Sequence, residues 1–367
     1  MQKKQSVTIR VKPNLLPDDG QVFIVGNHEQ LGNWRPDAIP MVPSPEGDGY
    51  WIREFQFRKN IEIEYKFTRG SWETEAADES GTPVGNFRFL VDSDVTISQE
   101  VDTWRDIARQ NAEKTVHTRV TGTVKYHRDL SDGILAQRDL IVWLPESYAT
   151  NSDKHYPVLY MHDGQNVFDP ITAYTGYDWQ ADETATRLIR EGRIRDIIIV
   201  GIYNTNDRLE EYSASPLGEA YRRFVVETVK PLIDSNYRTL PGRAHTATIG
   251  SSMGGLVSFL LAWHHPDIFG MASCLSPSFI FRKNQAIRQI KKSALPAQPL
   301  KIFMDCGGIG GERLLHRGCK RVLRTLRFKG FMAHHTIYFS YFRNHRHAEQ
   351  DWAKRLENHL ELLFGEQ

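Results

Sequence analysis

The chain has 367 residues, of which 40% are hydrophobic and 25% charged, a balance typical of a globular protein with room for more than one domain. Its formal net charge of +1 shows no overall excess of basic or acidic residues, and we therefore expect no nucleic-acid or membrane partner. The three cysteines, Cys274, Cys306 and Cys319, match neither a disulfide framework nor a zinc motif, so we expect no metal. The small, odd number of cysteines predicts a reducing compartment. The N-terminus MQKKQSVTIRVKPN lacks the apolar stretch of a secretory signal, which predicts a cytoplasmic location, and a secreted precursor trimmed of its signal is the alternative.

The first hundred residues have the pattern of short β-strands. The candidate strands are VTIRVKP, QVFIVG, YWIREFQF, IEIEYKFT and NFRFLV. Clusters of Pro, Gly, Asp and Asn separate them, and such residues form turns, so we predict an all-β sandwich over residues 1–105. The mostly polar segment DIARQNAEKTV then predicts a short helical linker at residues 106–118.

From residue 119 to residue 367 the pattern changes to strands that alternate with helices. The apolar runs are DLIVWLP, YPVLYMHDG, DIIIVGIYN and PLKIFMDCG, and the amphipathic segments are ETATRLIREG and GEAYRRFVVETVKPLIDSNY. Strands and helices in alternation predict a mostly parallel sheet flanked by helices.

The most specific motif in the chain follows the β-branched run from Thr246 to Ile249. There GSSMG has the form G-x-S-x-G and leads into the helical pattern LVSFLLAW, which is the context of a nucleophile elbow. The turn is tight, and Gly250 and Gly254 remove the side chains that would collide with its backbone. We therefore predict that Ser252 is a nucleophile and that the amide of Met253 is an oxyanion donor.

A serine hydroxyl requires a general base. In hydrolases with a nucleophile elbow, this base is a histidine that follows the last strand. The segment HHTIYFSYF predicts that strand, and His345 and His347 come after it. We favour His347 because it directly precedes a helix that places Trp352 toward the core, and we keep His345 as the alternative. His359 lies within that helical pattern, where we expect a solvated face.

The acid that orients the histidine should follow the strand PLKIFMDCG. Glu312 is favoured because it comes after the glycine-rich turn CGGIGG, in a loop able to reach the histidine. Asp305 is the alternative, although an Asp before glycine turns more often accepts backbone hydrogen bonds.

A second oxyanion donor is expected in the loop of YPVLYMHDGQNVFDP. There Gly164 is expected to let the backbone approach the substrate, and the amide of Gln165 is the predicted donor. His162 and Asp163 are interpreted as a turn with local hydrogen bonds. The segments TGYDW and NTNDRLEEY are expected to border the pocket.

Several of these segments resemble the esterase D family, which includes feruloyl esterases and enterobactin-type siderophore esterases. The matching segments are VLYMHDGQNVFD, GIYNTNDRLEEYS, IGSSMGG, MDCGG and HAEQDW. The resemblance implies an α/β-hydrolase fold, serine hydrolysis of esters, and no metal or organic cofactor. In that family the base is a loop histidine followed by an acidic residue and a tryptophan. His347, followed by Glu349 and Trp352, matches this pattern.

The N-terminal segments VFIVGNHEQLGNW, IEYKF, SWETE, GNFRF and VDTWRD resemble the starch-binding family of carbohydrate-binding modules. The resemblance implies a sugar-binding platform of Trp34, Lys66 and Trp72, with Asn86 as a further ligand contact. Only five residues separate Lys66 from Trp72, a loop shorter than in typical starch binders, so the platform differs from the family pattern.

Together these patterns predict a serine carboxylic-ester hydrolase that acts on small or glycan-linked esters, with a starch-like glucan as one candidate partner. Two alternatives stay open: a siderophore-type esterase with a structural sandwich, and a non-catalytic protein that targets glycans.

Overall fold

A computed structural model describes residues 4–17, 20–78, 83–107 and 120–365. The chain divides into two units, one of Met1–Thr118 with Tyr174–Gly176 and one of Arg119–Ala173 with Tyr177–Gln367. The predicted linker at residues 106–118 lies almost entirely outside the described residues. Within the described part of the chain, no helix combines the length and the apolar character needed to cross a bilayer.

The first unit consists of β-strands around a buried apolar core. Its strands are β1 (Lys4–Pro13), β2 (Phe23–Gly26), β3 (Val42–Pro43), β4 (Trp51–Arg58), β5 (Glu62–Thr68), β6 (Ala76–Ala77), β7 (Phe87–Leu90), β8 (Val95–Val101) and β9 (Thr103–Trp104). They form sheets in the orders β3-β4-β1-β8, β2-β5-β7 and β6-β9. In β1 the alternate residues Val7, Ile9 and Val11 are fully buried, as the period of two predicts for a strand with one face on the core.

The second unit is built on one eight-stranded sheet of order β10-β11-β13-β12-β14-β15-β16-β17. Its strands are β10 (Thr123–Leu130), β11 (Arg138–Leu144), β12 (Val158–His162), β13 (Ile198–Ile202), β14 (Thr246–Ser251), β15 (Met271–Leu275), β16 (Lys301–Gly307) and β17 (Thr336–Phe342). The strand β11 pairs antiparallel with both β10 and β13, and every pair from β13 to β17 is parallel.

Helices connect the strands of this sheet. They are α1 (Ser147–Thr150), α2 (Ala181–Arg190), α3 (Arg208–Glu211), α4 (Pro216–Phe224), α5 (Lys230–Asn236), α6 (Met253–His264), α7 (Phe281–Lys292), α8 (Glu312–Phe328) and α9 (Glu349–Phe364). A π-helical turn, Val225–Val229, joins α4 to α5 within the amphipathic segment GEAYRRFVVETVKPLIDSNY. Pro231 explains this turn, because proline has no amide hydrogen and its ring crowds the carbonyl four residues earlier.

Both faces of the large sheet are buried along its inner strands, β11 to β16. Along β11, Leu140, Val142 and Leu144 belong to one apolar cluster, whereas Ile141 and Trp143 belong to another. Helices α4 to α8 pack on the first face, and α2 and α9 pack on the second. Helix cover on both faces explains why the inner strands are mostly apolar along their whole length. The predicted fold class, an all-β sandwich followed by an α/β-hydrolase domain, is confirmed.

Candidate active site

The turn after β14 holds Ser252 in a strained backbone conformation, with φ 55° and ψ −116°. A Cβ atom on Gly250 would lie 2.6 Å from the carbonyl carbon of Gly254, and one on Gly255 would lie 3.0 Å from the carbonyl oxygen of Leu275. The glycines are therefore required for the strand and helix to approach each other at this turn. The Ser252 amide donates to the Leu275 carbonyl at 2.9 Å, which fixes the turn against β15.

Three residues predicted from the sequence form a hydrogen-bonded chain at this turn. The Nε2 atom of His347 lies 3.0 Å from the Oγ atom of Ser252, and its Nδ1 atom lies 2.7 Å from Oε1 of Glu312. His347 precedes α9, and its ring lies edge-on to Trp352 with the ring centroids 4.8 Å apart. The side chain of His347 is 33% exposed, so the serine–histidine pair is open to an incoming substrate.

Glu312 is fully buried and is the first residue of α8, where the helix dipole favours a negative charge. Its Oε2 atom accepts the Gly307 amide at 2.6 Å and the Cys306 thiol at 3.0 Å. Burial alone would raise the pKa of Glu312, but hydrogen bonding and the charge of His347, with further hydrogen bonds from Cys306 and Ser276, lower it to about 2. The carboxylate is therefore ionised at any working pH and can stabilise a protonated imidazole.

Asp305, the alternative acid, belongs to a different buried network. Its carboxylate lies 3.2 Å from Nη1 of Arg355 and 2.9 Å from Nε2 of His359, and it accepts the Ser276 amide at 3.1 Å. The expectation that His359 lies on a solvated helix face is wrong. His359 is 3% exposed because its ring bridges Asp305 and the hydroxyl of Ser273.

His345, the alternative base, makes contacts of another kind. Its carbonyl oxygen accepts the amides of Gly308 and Ile309, each at 3.1 Å, and its ring packs on Phe342 with centroids 5.2 Å apart. His345 thus joins the loop after β17 to the turn after β16. This connection holds the His347 loop close to Glu312.

Gln165, the predicted oxyanion donor, lies in a 3-10 turn, Gly164–Asn166, directly after β12. A Cβ atom on Gly164 would lie 2.5 Å from the carbonyl carbon of Gly201. This contact gives the glycine a structural reason beside the expected approach of its backbone to a substrate. The absence of a side chain lets the turn pack against the backbone of β13.

The turn with Gln165 lies against the nucleophile elbow, since a Cβ atom on Gly254 would be 3.2 Å from Oδ2 of Asp163. Met253 is the first residue of α6, and amides at this position have no intrahelical acceptor. Across the described residues, neither the Met253 amide nor the Gln165 amide donates to another residue. Both are free to bind a substrate oxygen.

The side chain of Asp163 was expected to make local hydrogen bonds in a turn, but its partners, Arg208 and Asn204, are distant in the sequence. The Arg208 guanidinium binds the Asp163 carboxylate through two hydrogen bonds, and Asn204 adds a third. Burial alone would raise the pKa of Asp163, but the charge and hydrogen bonds of Arg208 keep it lowered. His162 is buried as the last residue of β12, and burial lowers its pKa to about 3, so it is neutral.

Ser278 also contacts the nucleophile, although no sequence pattern indicated it: its Oγ atom lies 3.2 Å from the Oγ atom of Ser252. Its amide donates to the Ser252 carbonyl at 2.9 Å. No recognised motif surrounds Ser278, so the pattern alone offers no indication of this contact.

In the first unit, the residues predicted to bind sugar differ in exposure. Trp34 and Trp72 are partly exposed, and Asn86 is exposed. Lys66 is only 3% exposed, and its ammonium donates to the buried carboxylate of Glu75 at 2.8 Å. The Lys66 ammonium is therefore occupied inside the sandwich, which leaves the two tryptophans and Asn86 as the accessible members of the predicted platform.

One group of acidic side chains in the described ranges has the spacing of a metal site: oxygens of Asp178, Asp182 and Glu183 lie within 4.8 Å of one another. Asp182 and Glu183 are in the first turn of α2, where acidic residues favour the helix dipole. Burial and the neighbouring Glu183 raise the pKa of Asp182 to about 8. Asp182 also accepts the Thr121 amide at 2.6 Å, which gives this carboxyl group a structural partner within the unit.

Comparison with protein families gives two matches along the chain. Residues 131–361 match the family described as "Putative esterase", and residues 4–101 match the family described as "Starch binding domain". The uncharacterized protein YbbA of Bacillus subtilis is 26% identical over 255 residues, which covers 64% of this chain and 96% of YbbA.

A second relative aligns with nearly the whole chain. An endo-1,4-beta-xylanase/feruloyl esterase of Xylanibacter ruminicola is 26% identical over 370 residues, covering 96% of this chain but 47% of that protein. The chain thus spans about half the length of this relative.

Solved structures share the fold. A ferulic acid esterase has a TM-score of 0.52 at 22% identity and covers 66% of this chain and 98% of its own. The enterobactin esterase of Shigella flexneri has a TM-score of 0.56 at 14% identity, with 97% of this chain and 92% of its own covered.

Proposed function

Because the chain belongs to the esterase family that matches residues 131–361, it is an ester hydrolase, and we propose that Ser252, His347 and Glu312 are its catalytic triad. The observation that carries this proposal is the pair of hydrogen bonds from Ser252 Oγ to His347 Nε2, at 3.0 Å, and from His347 Nδ1 to Glu312 Oε1, at 2.7 Å. This is the geometry that general-base activation of a serine requires.

In the first half of the reaction, the Oγ atom of Ser252 attacks the acyl carbon of the ester while Nε2 of His347 takes the hydroxyl proton. The imidazole becomes a cation, and the ionised Glu312 stabilises it through Nδ1–H. The carbonyl oxygen becomes an oxyanion, which the amides of Gln165 and Met253 bind. His347 then gives its proton to the departing alcohol, which leaves an acyl-enzyme.

In the second half, His347 removes a proton from water, and the resulting hydroxide attacks the acyl carbon of the acyl-Ser252 ester. The tetrahedral intermediate again places its oxyanion on the same two amides. Its collapse releases the carboxylic acid and returns the proton from His347 to Ser252. Every proton removed in one step is returned in another, so the side chains emerge unchanged.

For the substrate, we propose an ester carried by, or close to, a carbohydrate. The first unit matches a starch-binding family over residues 4–101, and Trp34 and Trp72 are partly exposed there. Aromatic rings pack well against the C–H faces of sugars because both surfaces are apolar. A glycan-bound first unit would raise the local concentration of ester around the second unit.

A siderophore-type esterase is the second candidate, supported by the fold similarity to the enterobactin esterase, which covers 97% of this chain. In that case the sandwich is structural. A pulldown on insoluble starch and a titration with cyclodextrin separate the candidates, because only the first requires sugar binding.

The triad is tested by hydrolysis of p-nitrophenyl acetate and of a feruloyl sugar ester. Ser252→Ala is expected to lower kcat by about 10⁴-fold or more, the scale of nucleophile loss in serine hydrolases. The buried neighbour Ser251 is the matched control, and Ser251→Ala should keep the activity of the wild type. Equal rates for Ser252→Ala and the wild type would overturn the proposal.

A further inference from the structure

Asp163 is a buried carboxylate at the end of β12, and its side chain is 8% exposed. The Arg208 guanidinium meets it in a bidentate pair, with Nε 2.6 Å from Oδ1 and Nη2 2.7 Å from Oδ2. Its backbone amide also donates to the Tyr212 hydroxyl at 3.2 Å. Both Arg208 and Tyr212 come from the segment after β13, so the two loops are joined at a single residue.

The position of this carboxylate creates an electrostatic problem for the proposed reaction. Its Oδ2 atom would lie 3.2 Å from a Cβ atom on Gly254, the second residue of α6, and Asp163 stands two residues before Gln165. A negative charge here opposes the oxyanion that the Met253 and Gln165 amides would bind. The paired guanidinium neutralises that charge without placing a mobile cation in the cleft.

Asn204 joins the same two loops at a second point. Its side-chain amide donates to Oδ1 of Asp163 at 2.6 Å, and its backbone amide donates to Oε1 of Gln165 at 3.2 Å. The carbonyl of Gln165 accepts the Thr172 hydroxyl at 2.6 Å. The side chain and the carbonyl of Gln165 are therefore both held, which leaves its amide in a fixed direction.

We propose that Arg208 is a positioning residue that sets both the place and the charge of the oxyanion loop through its bidentate pair with Asp163. This inference rests on the proposed serine hydrolysis. It assigns no contact between Arg208 and the substrate. Arg208 acts through Asp163 on the direction of the Gln165 amide and on the field at the oxyanion.

The test compares Arg208→Met, Arg208→Lys and the double variant Asp163→Asn/Arg208→Met. Arg208→Met leaves the carboxylate unpaired, and kcat should fall by about 10- to 100-fold while KM stays near its wild-type value, because a misplaced donor weakens only the transition state. Arg208→Lys keeps the charge but lacks the fork, so a smaller loss is expected. The double variant should lose less than Arg208→Met because no unpaired charge remains.

The affinity of a trifluoromethyl ketone tests oxyanion binding directly, because the ketone forms an oxyanion when the serine attacks it. A purely structural role of Arg208 would leave this affinity unchanged. The ketone affinity should fall by the same factor as kcat/KM in each variant. Arg223 is the matched control, being an arginine 50% exposed and 3.9 Å from Glu227, and Arg223→Met should behave as the wild type.

Unchanged kcat in folded Arg208 variants, or a loss found entirely in KM, would overturn the role of Arg208. Ser252→Ala, measured beside them, keeps this outcome distinct from a failure of the proposed function. If Arg208→Met does not fold, Arg208→Lys and the double variant decide. Full kcat and full ketone affinity in both would contradict the inference.

Discussion

Ser252, Glu312 and His347 come from positions up to 95 residues apart, yet each follows a parallel strand of one sheet. The residues predicted to bind sugar instead lie on a strand and on short turns of the first unit, and one of them, Lys66, is buried. In a parallel sheet the carboxyl ends of the strands meet at one edge, so chain order identifies which residues converge. The sugar-binding surface of a sandwich depends on loop conformations, and a family resemblance predicts these less reliably than chain order predicts the triad.

The largest expected effect concerns the two histidines after β17. His347→Ala should lower kcat by about 10⁴-fold or more, because Ser252 then lacks a base. His345→Ala should leave kcat close to the wild-type value, since His345 holds its loop through its backbone carbonyl. Steady-state hydrolysis of p-nitrophenyl acetate measures both. The reverse order of the two losses would assign the base to His345.

The second prediction compares the two acidic candidates. Glu312→Gln should lower kcat by about 10²–10⁴-fold, since the imidazolium loses its charged partner. Asp305→Asn should retain turnover but lower the free energy of unfolding by about 3–5 kcal/mol, because it breaks a buried pair with Arg355. Kinetics and urea unfolding of both variants separate the roles. If folded Asp305→Asn lost turnover while Glu312→Gln stayed active, Asp305 would be the triad acid and Glu312 the structural residue.

The pKa of Glu312 also predicts the pH dependence of the site. Its folded-state pKa of about 2 is below its ordinary value of 4.5, so the stability from its ionised form is present above pH 4.5 and is lost as pH falls toward 2. Glu312→Gln has no carboxyl group to protonate, so the wild type should lose more stability than this variant as pH falls from 4.5 toward 2. Urea unfolding at several pH values measures this difference, and an equal loss in both proteins would contradict the lowered pKa of Glu312.

In the first unit the expected effect is smaller. Trp34→Ala and Trp72→Ala should each weaken cyclodextrin binding by about tenfold, or about 1.4 kcal/mol, while hydrolysis of a soluble ester stays unchanged. Lys66→Met should mainly lower stability, because it removes the ammonium paired with buried Glu75. Calorimetric titration and thermal unfolding measure these effects. Undiminished binding in both tryptophan variants would favour a structural sandwich.

The smallest expected effect is on stability at the acidic pair of α2. The pKa of Asp182 is raised from 3.8 to about 8, so the free energy of unfolding falls as pH rises through that window. Asp182→Asn still accepts the Thr121 amide and should be more stable than the wild type at pH 9 by about 1 kcal/mol or more, the equivalent of one pKa unit. The gain should vanish near pH 3. Exposed Asp153→Asn is the control, and a gain equal at both pH values would contradict the prediction.

Much of the fold could be predicted because strongly patterned segments became the expected elements, including β1, β12, β16 and β17. The sequence pattern did not indicate β15, since MASCL is a five-residue run of mostly small side chains without alternation. It also did not indicate β10, an edge strand with the polar sequence TVKYHRDL. Short strands and edge strands have the weakest sequence patterns, so pairing with neighbouring strands determines whether they form.

The site shows the same limit at the level of residues. Ser252 could be predicted because its glycines and flanking elements are local in sequence. The pair of Asp163 with Arg208 spans 45 residues, and that of Asp305 with His359 spans 54, with no motif to join them. Burial of His359 follows from such a distant partner, which is why its predicted solvated position was wrong.

The most direct test of the central claim is labelling with a fluorophosphonate probe, followed by mass spectrometry of the intact chain and its peptides. An activated serine reacts with this probe, whereas an ordinary hydroxyl does not. We expect one adduct, located on Ser252, and no adduct in Ser252→Ala or His347→Ala. A folded wild-type chain that stays unlabelled, or an adduct on Ser251 or Ser278, would contradict the central claim.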